Sequence, residues 1–210
     1  MCTRYYVEPA TFRPYIDRAA RIPLAHQMMI KLSKPLTMCG EMHPTDIAAV
    51  FASDKNGGIA VFPMMWGFTV PETGAPIVNC RLESADYKPL WKDSWLRRRC
   101  VIPASWYYEW ENFASPDGKK RITGAKFAIQ PEGATVTWLA GLYRFEERSG
   151  IQVPVFAVLT RQPSDSVKKL HDRMPLILAK ESIAEWIRPD GDPAEIARKA
   201  LGNMVMEKDG

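Results

Sequence analysis

Two apolar runs, residues 47–53 (IAAVFAS) and 59–68 (IAVFPMMWGF), flank the polar stretch Asp54-Lys55-Asn56-Gly57-Gly58. Asn-Gly and Gly-Gly reverse a chain tightly because these residues accept positive φ, so this segment commits the chain to a β-hairpin. Further strands are predicted over 100–110, 126–130, 135–145, 153–160 and 174–178. Helical spacing is confined to short segments. Residues 87–97 carry Leu90, Trp91, Trp95 and Leu96 at helical intervals. Residues 164–170 start at Ser164, a good N-cap, and 181–188 form another candidate. Over 193–201, Asp192 can cap, Pro193 takes the first position and Glu195 completes a capping box. Strands predominate and do not alternate regularly with helices, which argues against a doubly wound parallel sheet. The expected fold class is α+β, a single compact domain over residues 1–210 around a bent, barrel-like antiparallel β core with short flanking helices.

The chain of 210 residues, 46% of them hydrophobic, can bury a core without covalent staples. None of its four cysteines (Cys2, Cys39, Cys80, Cys100) forms a C-x-x-C pair, which excludes a zinc ribbon and a thioredoxin motif. Residues 1–30 lack the basic start and apolar run of a signal peptide, and no run approaches the ~18 apolar residues of a membrane span. A cytoplasmic location with reduced thiols is therefore expected. The net charge of +4 permits a nucleic-acid partner without demanding one.

Four places carry reactive side chains. Cys2 follows Met1, and a small residue at position 2 allows the initiating Met to be removed. The exposed residue would combine an amine of pKa about 7.7–8.0 with a thiol of about 8.5. An amine attacks an aldehyde to give a Schiff base, and a thiol on the same residue can close a five-membered thiazolidine; a buried inert thiol is the alternative. In Asn79-Cys80-Arg81-Leu82-Glu83-Ser84, an extended backbone would place Asn79, Arg81 and Glu83 on one side, Asn79 to orient an amine and Arg81 to hold a phosphate. A solvated edge strand is the plainer reading. Glu109, within Trp106-Tyr107-Tyr108-Glu109-Trp110, invites desolvation and a raised pKa, unless it is simply a surface residue. His171, within Leu170-His171-Asp172-Arg173-Met174-Pro175, is the acid–base candidate or a helix cap. His26 and His43 lack comparable company. Basic clusters at Arg97-Arg98-Arg99, Lys119-Lys120-Arg121 and Lys168-Lys169 read as solvated faces, and Trp66, Tyr107 and Tyr108 offer stacking surfaces or core.

In this order the motifs resemble the SOS-response-associated peptidase (SRAP) family: Met1-Cys2-Thr3-Arg4, Trp66-Gly67, Asn79-Cys80-Arg81-Leu82-Glu83, Tyr107-Tyr108-Glu109-Trp110 and His171-Asp172-Arg173-Met174-Pro175. The resemblance implies capture of abasic sites in single-stranded DNA as a thiazolidine DNA–protein crosslink, after self-removal of Met1: a cysteine-dependent peptidase with lyase-like chemistry. It implies Cys2 as nucleophile, Asn79 as support for its amine, Glu109 in proton transfer and His171 as acid–base. Arg4 and Arg81 would bind phosphates, and Pro44 and Trp66 would shape the DNA channel. No cofactor, metal or membrane is implied, and the protein is expected to act as a monomer, associated with the nucleoid when on DNA. A thiol peptidase on other substrates, or a non-catalytic single-strand-binding module, are the alternatives. The chain departs from the family pattern at Thr3, usually Gly, and at Glu41-Met42-His43 before Pro44, where the family favours Tyr-Asn-x-Ala. It also departs after Trp66-Gly67, where Pro71 leads to Glu72-Thr73, and at Ala104-Ser105-Trp106-Tyr107.

Overall fold

The structure is a computed structural model, describing residues 2–114 and 121–209. Met1 and the pair Lys119-Lys120 of one basic cluster lie outside the described residues. The chain opens with β1 (Tyr5–Val7), α1 (Pro9–Ala20), α2 (Pro23–Leu32), β2 (Gly40–Met42), β3 (Ile47–Ser53), β4 (Ile59–Trp66) and β5 (Asn79–Arg81). It continues through α3 (Pro89–Arg97), β6 (Arg99–Ala104), β7 (Trp106–Ala114), β8 (Arg121–Pro131), β9 (Thr137–Arg148) and β10 (Ile151–Arg161). It ends with β11 (Met174–Pro175), β12 (Ile177–Leu178), α4 (Ile183–Ile187), α5 (Pro193–Arg198) and β13 (Met204–Lys208). Among the described residues no helix is long and apolar enough to cross a membrane.

The expected barrel-like core is present. Strands β10, β4, β3, β6 and β9 pair in sequence, and β9 pairs back onto β10, closing a five-stranded barrel. Every junction in the ring is antiparallel except β4–β10, which is parallel. Closure leaves these strands no free edge in the ring. A second sheet, ordered β13-β8-β7-β1-β2, packs beside it. The predicted hairpin is the β3–β4 pair, with Ser53 opposite Ile59. Its turn is tightened by the Asp54 carboxylate, which accepts from the Asn56 and Gly58 backbone N–H groups at 2.8 and 2.9 Å.

Several elements differ from the expectation. The single strand anticipated over 100–110 is two strands, broken at Ser105, with β6 in the barrel and β7 in the second sheet. That break lets one continuous apolar run serve two layers. Residues 164–170 form turns instead of a helix. Asp192 does cap α5, accepting from Ala194 and Glu195 N–H, but the Glu195 side chain pairs with Lys199 and does not complete a box. Helices α1 and α2 were hidden by prolines. Pro9 and Pro23 occupy first turns, where the missing N–H costs nothing, and Phe12, Ile16 and Ala19 form the buried stripe of α1.

The basic triplet is not a uniformly solvated face. Arg99 is 1% exposed, and its guanidinium donates to the carbonyls of Trp95, Leu96, Trp186, Arg188 and Gly191. Those carbonyls close the ends of α3 and α4, so Arg99 fastens two helix C-termini to the barrel. Replacement by Ala strands several carbonyls, each at roughly 1–3 kcal/mol. Arg99→Ala is expected to lose about 3 kcal/mol or more in urea unfolding, whereas Arg97→Ala, on an exposed side chain, is expected to change stability by less than about 0.5 kcal/mol.

Candidate active site

Cys2 lies just before β1, 1% exposed and packed within the main core cluster. The Asn79 amide donates to the Cys2 carbonyl oxygen at 2.9 Å, tying the chain start to β5. Parallel pairing of β5 to β10 sets Asn79 opposite Val158 and points Cys80 into the core, leaving Asn79 and Arg81 on the same side. Strand β5 ends at Arg81. Glu83 sits instead in a 3₁₀ turn over Leu82–Ser84, so the expected three-residue face is only two residues long.

Tyr107 and Glu109 occupy the inward face of β7, at 0% and 3% exposure, while Trp106 and Trp110 on the other face are only half-buried. Burial is the largest cause of a pKa for Glu109 of about 7, well above the ordinary 4.5, and the Asp172 charge adds to it. The Cys2 thiol is pushed far above its ordinary value, first by burial and then by the Glu109 charge. His171 meets this carboxyl from the turn after β10, with Nε2 3.8 Å from Glu109 Oε2. Its Nδ1 faces two partners: the Arg173 backbone N–H, donating at 3.0 Å, and an Asp172 carboxylate oxygen at 2.9 Å. One ring nitrogen cannot accept and donate at once. The backbone donor is fixed, while Asp172 is exposed and can turn to water, so we assign Nδ1 as the acceptor and place the ring proton on Nε2, facing Glu109.

The structure thus brings Cys2, Asn79, Glu109 and His171 to one locus. The residues expected to shape a DNA channel are placed unequally. Arg81 is exposed and lines an open cleft of about 260 Å³ with Glu83, Tyr87, Lys88 and Arg173. Arg4 is half-buried and engaged with Glu41 at 3.2 Å. Pro44 is partly exposed in the turn that follows β2, which runs antiparallel to β1 towards the Cys2 end of the chain. Trp66 corrects the expectation: it is 0% exposed, its indole N–H donates to the Val78 carbonyl, and it packs against Tyr5 and Phe156. Its side chain cannot touch a nucleic acid. Tyr107 is likewise interior, and Tyr108 lies beneath Lys126 Nζ at 3.6 Å, so neither offers a bare stacking face. Gly67, by contrast, has a local reason to be glycine. Its φ is +118°, and an added Cβ would lie 2.6 Å from Pro76 Cβ.

A whole-chain comparison completes the picture. The family model for "SOS response associated peptidase (SRAP)" matches residues 1–208. The chain belongs to the SRAP family. It is 30% identical over 162 residues to the abasic site processing protein YoaM of Bacillus subtilis, covering 74% of this chain and 68% of that one. It is 23% identical over 154 residues to the abasic site processing protein YedK of Escherichia coli, covering 73% and 66%. A crystal structure of a protein from Bacteroides thetaiotaomicron superposes with a TM-score of 0.74 at 18% identity, covering 100% of this chain and 92% of that one, and shares the fold described above.

Several site features depend on contacts that leave no local signal in the sequence. Arg173 is 6% exposed and grips Glu83 with two nitrogens at 2.7 and 2.8 Å, joining the His171 segment to the Asn79 segment. This contact holds the Glu83 carboxyl below its usual range. Thr45 adopts φ +74°, a costly conformation for a β-branched residue. Lys34 Nζ donates to both the Thr45 carbonyl and hydroxyl, at 3.2 and 2.8 Å, and secures the Pro44 turn. His43, expected to stand alone, lies near Glu41 and Asp46. Among the described residues, no group of three or more His, Cys, Asp or Glu side chains is arranged to hold a metal ion.

The raised pKa of Glu109 has a stability consequence. The folded state keeps its proton up to about pH 7, whereas the unfolded chain releases it near pH 4.5. The contribution is full below the unfolded value and is lost as pH rises through the folded one. Glu109→Gln, which keeps the shape without the ionisation, is expected to lose less stability than the parent between pH 5 and pH 8. Urea unfolding at both pH values measures it, and parallel losses in the two proteins would contradict the assignment.

Proposed function

We propose that this chain processes abasic sites in single-stranded DNA by covalent capture through Cys2, after removal of Met1. The observation that carries the reading is the grouping of Cys2, held by Asn79, with the buried Glu109 carboxyl and His171, in a chain of the SRAP family. The naming of several relatives as abasic site processing proteins supports the substrate class.

The chemistry follows from the protonation states. Burial keeps the Cys2 thiol neutral, so the first attack on the ring-opened sugar aldehyde belongs to the α-amine freed by loss of Met1. Attack gives a carbinolamine, and loss of water gives a Schiff base. With a pKa of about 7, Glu109 can both deliver a proton to the departing hydroxyl and take one from the attacking amine. The thiol then adds to the same carbon, transfers its proton to nitrogen and closes the thiazolidine. Asn79, fixed on the Cys2 carbonyl, holds the residue in position for both bonds. His171, with Nε2–H directed at Glu109, serves as its proton partner and acts at the sugar and in reversal of the crosslink. The Schiff base is also the species from which lyase-like strand scission would start. Arg81, exposed at the rim, supplies phosphate contact. Met1 removal is assigned to the same thiol, as the peptidase activity of the site on its own chain. The protein would act as a monomer on DNA.

Incubation of the Met1-free protein with a single-stranded abasic oligonucleotide is expected to yield an adduct that survives denaturation. Cys2→Ala is expected to form none, and an equal yield from that variant would remove Cys2 from the mechanism. Glu109→Gln is expected to slow crosslinking by about 10²–10⁴-fold and to abolish the rate inflection near pH 7. A thiol peptidase acting on other chains would instead turn over peptides and leave the DNA unmodified.

A further inference from the structure

Arg4 and Lys126 converge on a single carboxylate. Arg4 Nε lies 3.2 Å from Glu41 Oε1, and Lys126 Nζ lies 2.8 Å from Glu41 Oε2. His43 Nε2 stands 3.8 Å from the same oxygen that Arg4 contacts. Lys126 also reaches Asp209 at 2.9 Å and rests over the Tyr108 ring. The cluster joins the segment before β1 to β2, β8 and the residue after β13, and its two acids balance its Arg and Lys. It sits at the chain end that holds Cys2, because Arg4 is two residues on and β2 pairs with β1.

An arginine and a lysine facing one anion form a site that a phosphodiester oxygen satisfies as well as a carboxylate does. We propose that Glu41 is a specificity-determining residue, holding the anion position between Arg4 and Lys126 that a DNA backbone phosphate would otherwise take. The proposal rests on the abasic-site reading above. A continuous, undamaged strand must displace the carboxylate to gain those two cations, and nothing covalent compensates for the displacement. A strand carrying an aldehyde is retained by its bond to Cys2, whatever the strength of the initial docking. Glu41 therefore suppresses occupancy by intact single strands without preventing capture of lesions. The side chains of Arg4 and Glu41 are 31% and 29% exposed, so this pairing is weak enough for a phosphate to compete with it.

The test is the salt dependence of binding to an undamaged single-stranded oligonucleotide, followed by fluorescence anisotropy on the full chain. Glu41→Gln is expected to bind more tightly. Its plot of log Kd against log salt is expected to steepen by about 0.7 for Arg4, and by up to about 1.4 as the phosphate also draws Lys126 from Asp209. Adding Lys126→Gln to Glu41→Gln is expected to remove about half of that gain. Lys126→Gln alone is expected to leave the slope nearly unchanged, because Glu41 and Asp209 already occupy that lysine. Unchanged affinity and slope in a folded Glu41→Gln protein would overturn the proposal, as would a loss of about 0.7 in slope from Lys126→Gln alone. A parallel crosslinking reaction with abasic DNA separates the two readings. Crosslinking by the parent with no slope change in Glu41→Gln refutes the role of Glu41 only. No crosslinking, with a steeper slope in Glu41→Gln, refutes the Cys2 mechanism and leaves the charge competition standing.

Discussion

Glu109 is an ionisable group held almost entirely out of water, and the arrangement around it follows from that fact. A carboxylate in such a place is costly unless it is neutralised or met by a proton donor. Strand β7 turns Glu109 inward beside Tyr107, and His171 brings Nε2 to 3.8 Å from its carboxyl. Cys2 feels its charge from the core side. Burial gives a carboxyl that ionises near neutrality and, at Cys2, a thiol kept protonated, and the Glu109 charge raises that thiol further. Groups whose environments push their proton affinities apart can divide acid and base duties at a single pH.

The scaffold makes that burial possible. A closed barrel supplies a rigid wall, and the break at Ser105 releases the chain from the barrel so that β7 can carry Glu109 in a different layer. Two arginine fasteners connect the pieces. Arg99 ties the ends of α3 and α4 to the barrel, and Arg173 ties the His171 segment to Glu83, four residues beyond Asn79. Both arginines are buried and bonded to backbone carbonyls as well as to their neighbours, so they act as structural bolts more than as sources of positive field.

Much of this was legible in the residues. The Asn-Gly-Gly turn fixed a hairpin, apolar runs marked the barrel strands, and the family resemblance carried by Cys2, Asn79, Glu109 and His171 pointed to one site. What was not legible depends on contacts between distant segments. Nothing local distinguishes Arg99 from Arg97, since only the arrival of α4 and the 188–191 turn buries one of them. Trp66 could have been a wedge or a core residue, and the parallel approach of β10 beside β4 decided for the core. Helices α1 and α2 were masked by their prolines: Pro9 and Pro23 sit in first turns, where proline is tolerated, and Pro14 lies inside α1. The short strands β1, β2 and β5 are too brief to show a period and exist because a neighbour pairs with them.

The central claim is that Cys2, as an amino-terminal residue, bonds to the lesion through both its nitrogen and its sulfur. Mass analysis of the purified adduct addresses this directly. The expected adduct is a chain lacking Met1 that carries the DNA fragment with the net loss of one water, mapped to Cys2 and resistant to borohydride because the imine has already closed to a ring. A chain that retains Met1, or an adduct mapped to a lysine and trapped by borohydride, would contradict it.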